Sequence, residues 1–367
     1  MTMKVGLATT NNQYYQSNNK DWNLSDLEKW LREPDRIPFN MSYDSIRKSK
    51  QLLLKRYFPD ITFSNNYKTY KPNGVFIESF YRPNNSHSIL IVPGDTAPSW
   101  VYYDLASVLF LKNNINVFLM NYFNYSESKQ IPYRSINKKI YLDNVTTAFK
   151  FITNNLKIQN LTLFGHSKAG VILQSFASQM QITNTNFILF NSGYGNNLVK
   201  QKINYYDYLD LIEENKKTPS CLFNLEIPIV LFEFLFLAPN KVKFSKSYYL
   251  KHFFSIDKFS YSKKDFIYQN SALIPVNVAK YGDIDCQKIG KNNRFLFIHS
   301  ESDQVFSKDY QTKGFKIFSE KTPVSNEVTF KSVPGSHFSC IEEPDVATSM
   351  IVNFLEKGLL QNAHKQF

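Results

Sequence analysis

The sequence has few cysteines and lacks a long apolar segment. Its three cysteines, Cys221, Cys286 and Cys340, are an odd number without a regular spacing. No disulfide framework is therefore predicted, and a reducing compartment is expected. The apolar stretch 227–239 contains a glutamate and is too short to span a bilayer. Residues 1–15 lack the basic-then-apolar layout of a secretion signal, so we expect a cytoplasmic protein.

Sequence signals for metal and nucleotide sites are also missing. No His, Cys, Asp or Glu residues have the spacing of a zinc site, and neither a P-loop nor a dinucleotide-binding fingerprint is present. We therefore expect no metal ion and no cofactor.

The chain is basic, with 43 Lys and Arg against 31 Asp and Glu and a formal charge of +12. The cations are scattered and form only short clusters, such as 47–50 and 138–139. This distribution favours a solvated basic surface and argues against nucleic acid as a partner. An anionic membrane surface or an acidic protein partner is the alternative.

Short apolar strands alternate with helical patterns in two stretches, 63–195 and 291–367. Strands are predicted at 67–70, 75–81, 88–92, 115–121, 161–164, 187–190, 294–299 and 327–333, and helices at 100–111, 140–156, from 307 and at 346–356. This alternation predicts an α/β fold with a mostly parallel central sheet and helices on both faces. Residues 196–290 interrupt the pattern after the sixth strand and are interpreted as a helical cap. Residues 1–62 are interpreted as a helical N-terminal extension.

The segment 161–173 carries a serine at a strand-to-helix junction. Its centre is Gly165-His166-Ser167-Lys168-Ala169, which matches the nucleophile-elbow pattern G-x-S-x-G except for alanine at the last position. A tight turn of this kind projects the serine hydroxyl beyond the sheet, and small flanking residues let the strand and helix pass. Ser167 is therefore the candidate nucleophile, and His166 is interpreted as a structural neighbour.

A serine hydroxyl needs an oriented base, and two later loops supply candidates. His337 follows the last predicted strand, and Asp303 follows the strand before it. Loops after parallel strands emerge at the same edge of the sheet, so both side chains are expected to approach Ser167. Glu301 is the alternative acid.

The stretch from about residue 65 to 360 resembles the α/β-hydrolases. The segment 333–339, Val-Pro-Gly-Ser-His-Phe-Ser, with the following Glu343-Pro344, resembles the histidine region of thioesterases that release acyl chains from carrier proteins. The resemblance implies that Ser167 is the nucleophile, that His337 is the general base and that Asp303 orients the imidazole.

The same resemblance implies an oxyanion hole made of backbone N–H groups. One donor would be Lys168, and the second would be Asp95 or Thr96 in the loop after the third strand. Within the predicted cap, Phe232 and Phe236 are candidates for lining an acyl pocket, although a core helix of the cap is the alternative.

We therefore expect a serine hydrolase that cleaves an ester or thioester of a hydrophobic acyl group through an acyl-enzyme. The acyl group could be carried by an acidic acyl carrier protein or by CoA, and contact with an anionic membrane is a further expectation. A lipase, a carboxylesterase or an acyltransferase would use the same triad. A catalytically silent α/β-hydrolase that binds a ligand or protein is the alternative from another class.

Overall fold

The computed structural model describes residues 54–55, 57–58, 63–94, 99–123, 125, 127–129, 131, 138–195, 198–199, 284–303 and 306–364. The predicted N-terminal extension and the predicted cap lie almost wholly outside the described residues. Their domain boundaries therefore remain predictions.

Eight strands form one sheet, as the alternating pattern predicted. They are β1 (Tyr67–Tyr70), β2 (Phe76–Phe80), β3 (His87–Val92), β4 (Ile115–Asn121), β5 (Leu161–His166), β6 (Asn186–Phe190), β7 (Arg294–Ser300) and β8 (Glu327–Val333). Their order across the sheet is β1-β2-β4-β3-β5-β6-β7-β8. The pairs β1–β2 and β2–β4 are antiparallel and the other five are parallel.

The described helices are α1 (Phe63–Asn66), α2 (Tyr103–Ser107), α3 (Lys138–Lys150), α4 (Lys168–Gln179), α5 (Lys308–Lys321), α6 (Ser339–Glu342) and α7 (Pro344–His364). A 3₁₀ turn, Ser99–Tyr102, precedes α2, and π-helical turns, Val108–Lys112 and Phe151–Asn155, extend α2 and α3. The last helix begins earlier than predicted because proline is well tolerated in the first turn. Of the helices described, none is both long enough and apolar enough to cross a membrane.

The central strands are buried on both faces. Ile89 and Ile91 of β3 pack in one core with Leu105 and Ile351, whereas the alternate residues of the same strand pack in a second core. The second core includes residues of α3, α4 and α5. Successive side chains of a strand point to opposite faces, so an unbroken apolar run fits a sheet covered on both sides. The predicted layer order is confirmed.

The parallel strands β3 to β8 all end at one edge of the sheet. We call this the carboxyl edge; it contains the residues that immediately follow those strands. Gly94, Ser167, Asn191, Asp303 and His337 all lie in these post-strand segments. The fold therefore gathers residues that are far apart in the sequence.

Helix α4 begins in close contact with the segment that follows β6. A Cβ atom placed on Gly170 would lie 1.9 Å from Ser192 Oγ and 2.3 Å from Ser192 Cβ. Both distances are far below a van der Waals contact, and Ser192 is itself buried. Only glycine allows the first turn of α4 to approach β6 this closely.

We predict that Gly170→Ala lowers the free energy of unfolding by about 1–3 kcal/mol, because the added methyl group overpacks a buried contact. Urea denaturation measures the change. In the double variant Gly170→Ala/Ser192→Gly the nearest remaining atom would be the residue 192 Cα at 3.4 Å. Gly170→Ala should therefore lower the free energy of unfolding less in the Ser192→Gly background than in the wild-type background. An equal decrease in both backgrounds would contradict the proposed steric contact.

Candidate active site

Ser167 occupies the turn between β5 and α4 in a strained conformation. Its φ of 57° and ψ of −123° lie in a sparsely populated region for a residue with a side chain, at a cost of about 1–3 kcal/mol. Two backbone hydrogen bonds hold the turn. Ser167 N–H donates to the carbonyl of Phe190 at 3.0 Å, and Gly170 N–H donates to the carbonyl of Ser167 at 3.1 Å.

Gly165, two residues before the serine, is required because β5 and α4 cross in close contact. A Cβ atom on Gly165 would lie 2.9 Å from the carbonyl carbon and 3.0 Å from the carbonyl oxygen of Ala169. Ala169 itself is fully buried and carries its methyl group without strain on the backbone. The first close contact of the elbow involves Gly165, and the second involves Gly170 rather than residue 169. Alanine is therefore tolerated at 169, where the motif usually has glycine.

His337 and Asp303 are in direct contact. His337 Nδ1 lies 3.0 Å from both Oδ1 and Oδ2 of Asp303. The exposed fractions of the two side chains are 4% and 0%, so water does not compete for this interaction. The carboxylate also accepts a hydrogen bond from Phe306 N–H at 3.0 Å. Glu301, the alternative acid, is exposed.

The Asp303–His337 pair lies beside the elbow. The ring centroids of His337 and His166 are 5.0 Å apart, and His166 directly precedes Ser167. In the part of the chain that the structure describes, no hydrogen bond joins the Ser167 hydroxyl to His337. Such bonds are often long in enzymes without substrate and shorten in the reactive complex. With Nδ1 directed at Asp303, Nε2 is the ring nitrogen of His337 left for a proton from the serine.

Lys168, the predicted first oxyanion donor, is the first residue of α4 and directly follows Ser167. Its backbone N–H belongs to the first turn of the helix, where N–H groups are not used by the intrahelical hydrogen bonds. The Lys168 side chain is buried, and its Nζ lies 4.2 Å from the ring centroid of Tyr141 and 5.4 Å from that of Tyr122.

The other predicted site residues lie outside the described residues. These are the second oxyanion donor, Asp95 or Thr96, and the pocket residues Phe232 and Phe236. The preceding residue, Gly94, is described, and a Cβ atom placed on it would lie 3.3 Å from Ser167 Cβ. The loop in question thus starts close to the serine.

His166 has a more specific environment than the sequence indicated. Its Nε2 lies 2.8 Å from the carbonyl oxygen of His337, and its Nδ1 lies 3.0 Å from Tyr102 Oη. Burial is the main cause that lowers the pKa of His166, the nearby His337 is the second, and the pKa falls to about 3. The ring is therefore neutral, and because a carbonyl can only accept, Nε2 carries the proton. Sequence spacing gave no signal for this contact, which joins segments 171 residues apart.

The low pKa of His166 predicts an acid-dependent loss of stability. In the unfolded chain a histidine takes up a proton below about pH 6.5, whereas in the folded chain His166 remains neutral down to far lower pH. Its contribution to stability is complete above the unfolded pKa and declines by up to about 1.4 kcal/mol per pH unit as the pH falls further.

Urea denaturation between about pH 7 and pH 4 measures this decline. His166→Gln cannot titrate, so its free energy of unfolding should fall less steeply with decreasing pH than that of the wild type. Parallel pH dependences of the two proteins would show that the pKa of His166 does not change on folding.

Comparisons with known proteins support the fold assignment. Neither protein-family models nor curated protein sequences match this sequence. Solved structures do match its fold. The carboxylesterase CesB from Bacillus subtilis is 11% identical with a TM-score of 0.55, over 84% of this chain and 96% of that chain. The α/β-hydrolase MGS-M2 from a deep-sea metagenome library is 18% identical with a TM-score of 0.54, over 79% of this chain and 97% of that chain.

A bromoperoxidase from Bacillus anthracis is 14% identical with a TM-score of 0.53, over 79% of this chain and 99% of that chain. These three structures thus resemble the described chain in overall fold. This chain has the α/β-hydrolase fold.

Proposed function

We propose that this protein is a serine hydrolase that cleaves a carboxylic ester or thioester through an acyl-enzyme. The observation that carries the proposal is the buried Asp303–His337 pair beside the strained turn of Ser167. A base that is oriented by a carboxylate and lies next to an elbow serine is the arrangement that activates a hydroxyl. The carboxylesterase of the same fold is a compatible precedent.

In the first half of the reaction, Ser167 Oγ attacks the carbonyl carbon of the substrate. Its proton passes to His337 Nε2, and the charge on the imidazolium is stabilised by Asp303. The oxyanion is stabilised by Lys168 N–H and by a second donor, for which Asp95 and Thr96 remain the candidates. The bond to the leaving alcohol or thiol then breaks, and the leaving group takes the proton from His337.

In the second half, water attacks the acyl-enzyme carbonyl. His337 takes one proton from the water and returns it to Ser167 Oγ as the ester bond to the serine breaks. The products are a carboxylic acid and the free enzyme. If an alcohol or amine replaced water, the same residues would catalyse acyl transfer, so acyltransferase activity is an outcome to be tested.

For the substrate we propose a hydrophobic acyl group held as a thioester. The resemblance of 333–339 to the histidine region of carrier-dependent thioesterases supports this choice. The formal charge of +12 is compatible with an acidic acyl carrier protein or CoA. Lipase or carboxylesterase activity is the nearest alternative. A catalytically silent binding protein would lack an activated serine. Contact with an anionic membrane is a separate proposal that does not depend on whether Ser167 is activated.

We predict that a fluorophosphonate probe labels the wild type at Ser167. Ser167→Ala should abolish labelling, and His337→Ala should slow turnover of an ester by about a millionfold, since these residues act as one unit. Asp303→Asn should slow turnover by about 10⁴-fold, because the asparagine favours the wrong imidazole tautomer. Intact-mass spectrometry and p-nitrophenyl ester hydrolysis measure these effects.

Ser88→Ala is the matched control, because Ser88 is a buried serine near the opposite end of β3. Its labelling should equal that of the wild type. Labelling of Ser167→Ala at the wild-type rate would contradict the proposed nucleophile, and a folded wild type that no probe labels would favour the silent binding protein.

We further predict a higher kcat/KM for long-chain acyl thioesters on an acidic carrier protein than for p-nitrophenyl esters of the same acids. The advantage should shrink as salt is raised, because screening weakens the attraction between a basic enzyme and an acidic carrier. If the enzyme hydrolysed the p-nitrophenyl esters but not the carrier-bound thioesters, at a rate that does not depend on salt, it would instead be a carboxylesterase or lipase.

A further inference from the structure

The backbone carbonyl of His337 accepts two hydrogen bonds from residues at the ends of two different strands. His166 Nε2–H donates from the end of β5 at 2.8 Å, and Asn191 Nδ2–H donates from just after β6 at 2.9 Å. Both donors are buried, with exposed fractions of 1% and 0%. A carbonyl has two lone pairs, so these two donors occupy its full accepting capacity. His337 is therefore fixed through its backbone as well as through its ring.

The donor on His166 is fixed in turn by its second ring nitrogen. Because Nε2 carries the proton, Nδ1 of the neutral ring is an acceptor, and the Tyr102 hydroxyl 3.0 Å away is its donor. The same hydroxyl oxygen accepts a hydrogen bond from Gly94 N–H at 2.8 Å. In a neutral imidazole one nitrogen donates and the other accepts. The tyrosine hydroxyl at Nδ1 therefore supports the tautomer that presents Nε2–H to the His337 carbonyl.

Asn191 connects the same carbonyl to the loop that carries the acid. Its Oδ1 accepts from Ser300 N–H at 2.7 Å, and its Nδ2–H also lies 2.8 Å from Ser300 Oγ. The loop after Ser300 donates from Ser302 N–H to the carbonyl of Gly335 at 3.0 Å. The loops of Asp303 and His337 are thus held against each other and against the end of β6.

We propose that His166 is a positioning residue: its Nε2–H, acting with Asn191, holds the His337 backbone so that the imidazole faces both Asp303 and Ser167. The inference rests on the proposed function and adds the residue that sets the geometry of the general base. His166 is buried and its ring nitrogens contact His337 and Tyr102, so the role that we assign to it is exerted through His337.

Two amide substitutions separate the hydrogen bond from the shape of the ring. The side-chain amide nitrogen of glutamine can take the place of Nε2, so His166→Gln keeps a donor for the His337 carbonyl. The shorter asparagine reaches only the position of Nδ1, so His166→Asn keeps a partner for Tyr102 but loses that donor. His166→Phe fills the space and makes neither bond.

We expect kcat/KM and the rate of fluorophosphonate labelling to fall by about 10- to 100-fold in His166→Asn and His166→Phe, with KM little changed, since displacing a catalytic group by about 1 Å has an effect of this size. His166→Gln should recover most of the loss. In the two impaired variants the acid limb of the pH profile of kcat/KM should move to lower pH, because a displaced imidazolium receives less stabilisation from Asp303.

The matched controls are His87→Gln and His87→Asn, at a half-buried histidine in the first position of β3, away from the carboxyl edge. Both should keep wild-type kcat/KM. Equal activities of His166→Gln and His166→Asn, or a fully active His166→Phe, would overturn the inference while leaving the proposed hydrolase intact. A wild type without hydrolysis or labelling would instead overturn the proposed function.

The tautomer can be measured even if a variant fails to fold or no substrate is found. In the wild type, ¹⁵N NMR of the imidazole nitrogens should show His166 protonated at Nε2 only, with no titration between about pH 5 and pH 8, the range in which an ordinary histidine titrates. In Tyr102→Phe, which removes only the hydroxyl, protonation at Nδ1 should become detectable. A wild-type His166 protonated at Nδ1, or titrating in this range, would overturn the inference.

Discussion

The close meeting of β5, α4 and the end of β6 is the constraint on which the site depends. The turn at Ser167 is strained, and it persists because Gly165 and Gly170 let the three segments approach within distances that a methyl group would prevent. The carbonyl of Phe190 then receives the N–H of the serine. The elbow is therefore a product of the assembled sheet, and an isolated strand–turn–helix segment would not hold it.

Burial of polar groups at the carboxyl edge creates a second requirement. A buried donor or acceptor without a partner costs about 1–3 kcal/mol, so such groups persist where they satisfy one another. His166, Asn191 and His337 do so through shared hydrogen bonds. His299, at the end of β7, shows that a buried histidine at this edge does not always find hydrogen-bond partners. It is equally buried and stacks on Phe330, yet neither of its ring nitrogens has a hydrogen bond in the described part of the chain.

The layers of the fold follow from local patterns, which is why the sequence predicts them. A run such as 88–92 is apolar at every position from Ile89 onward, which is typical of a strand covered on both faces, and glycine at 165 and 170 marks the elbow. The choice between Asp303 and Glu301 depends on how one loop turns, through bonds to Phe306 and His337, so spacing alone could not make it. The contacts of His166 join distant segments and carry no local signal.

The α/β-hydrolase fold is shared by an esterase and a bromoperoxidase, so the fold alone does not decide the chemistry. The proposed hydrolase activity depends on how the proposed base, His337, is held. Asp303 takes up Nδ1 of His337, and the remaining support reaches the backbone carbonyl of that residue. The proposed base is thus held without using Nε2, the ring nitrogen that accepts the serine proton in the proposed reaction. A hydrogen bond to Nε2 would instead occupy the atom that the proposed reaction requires.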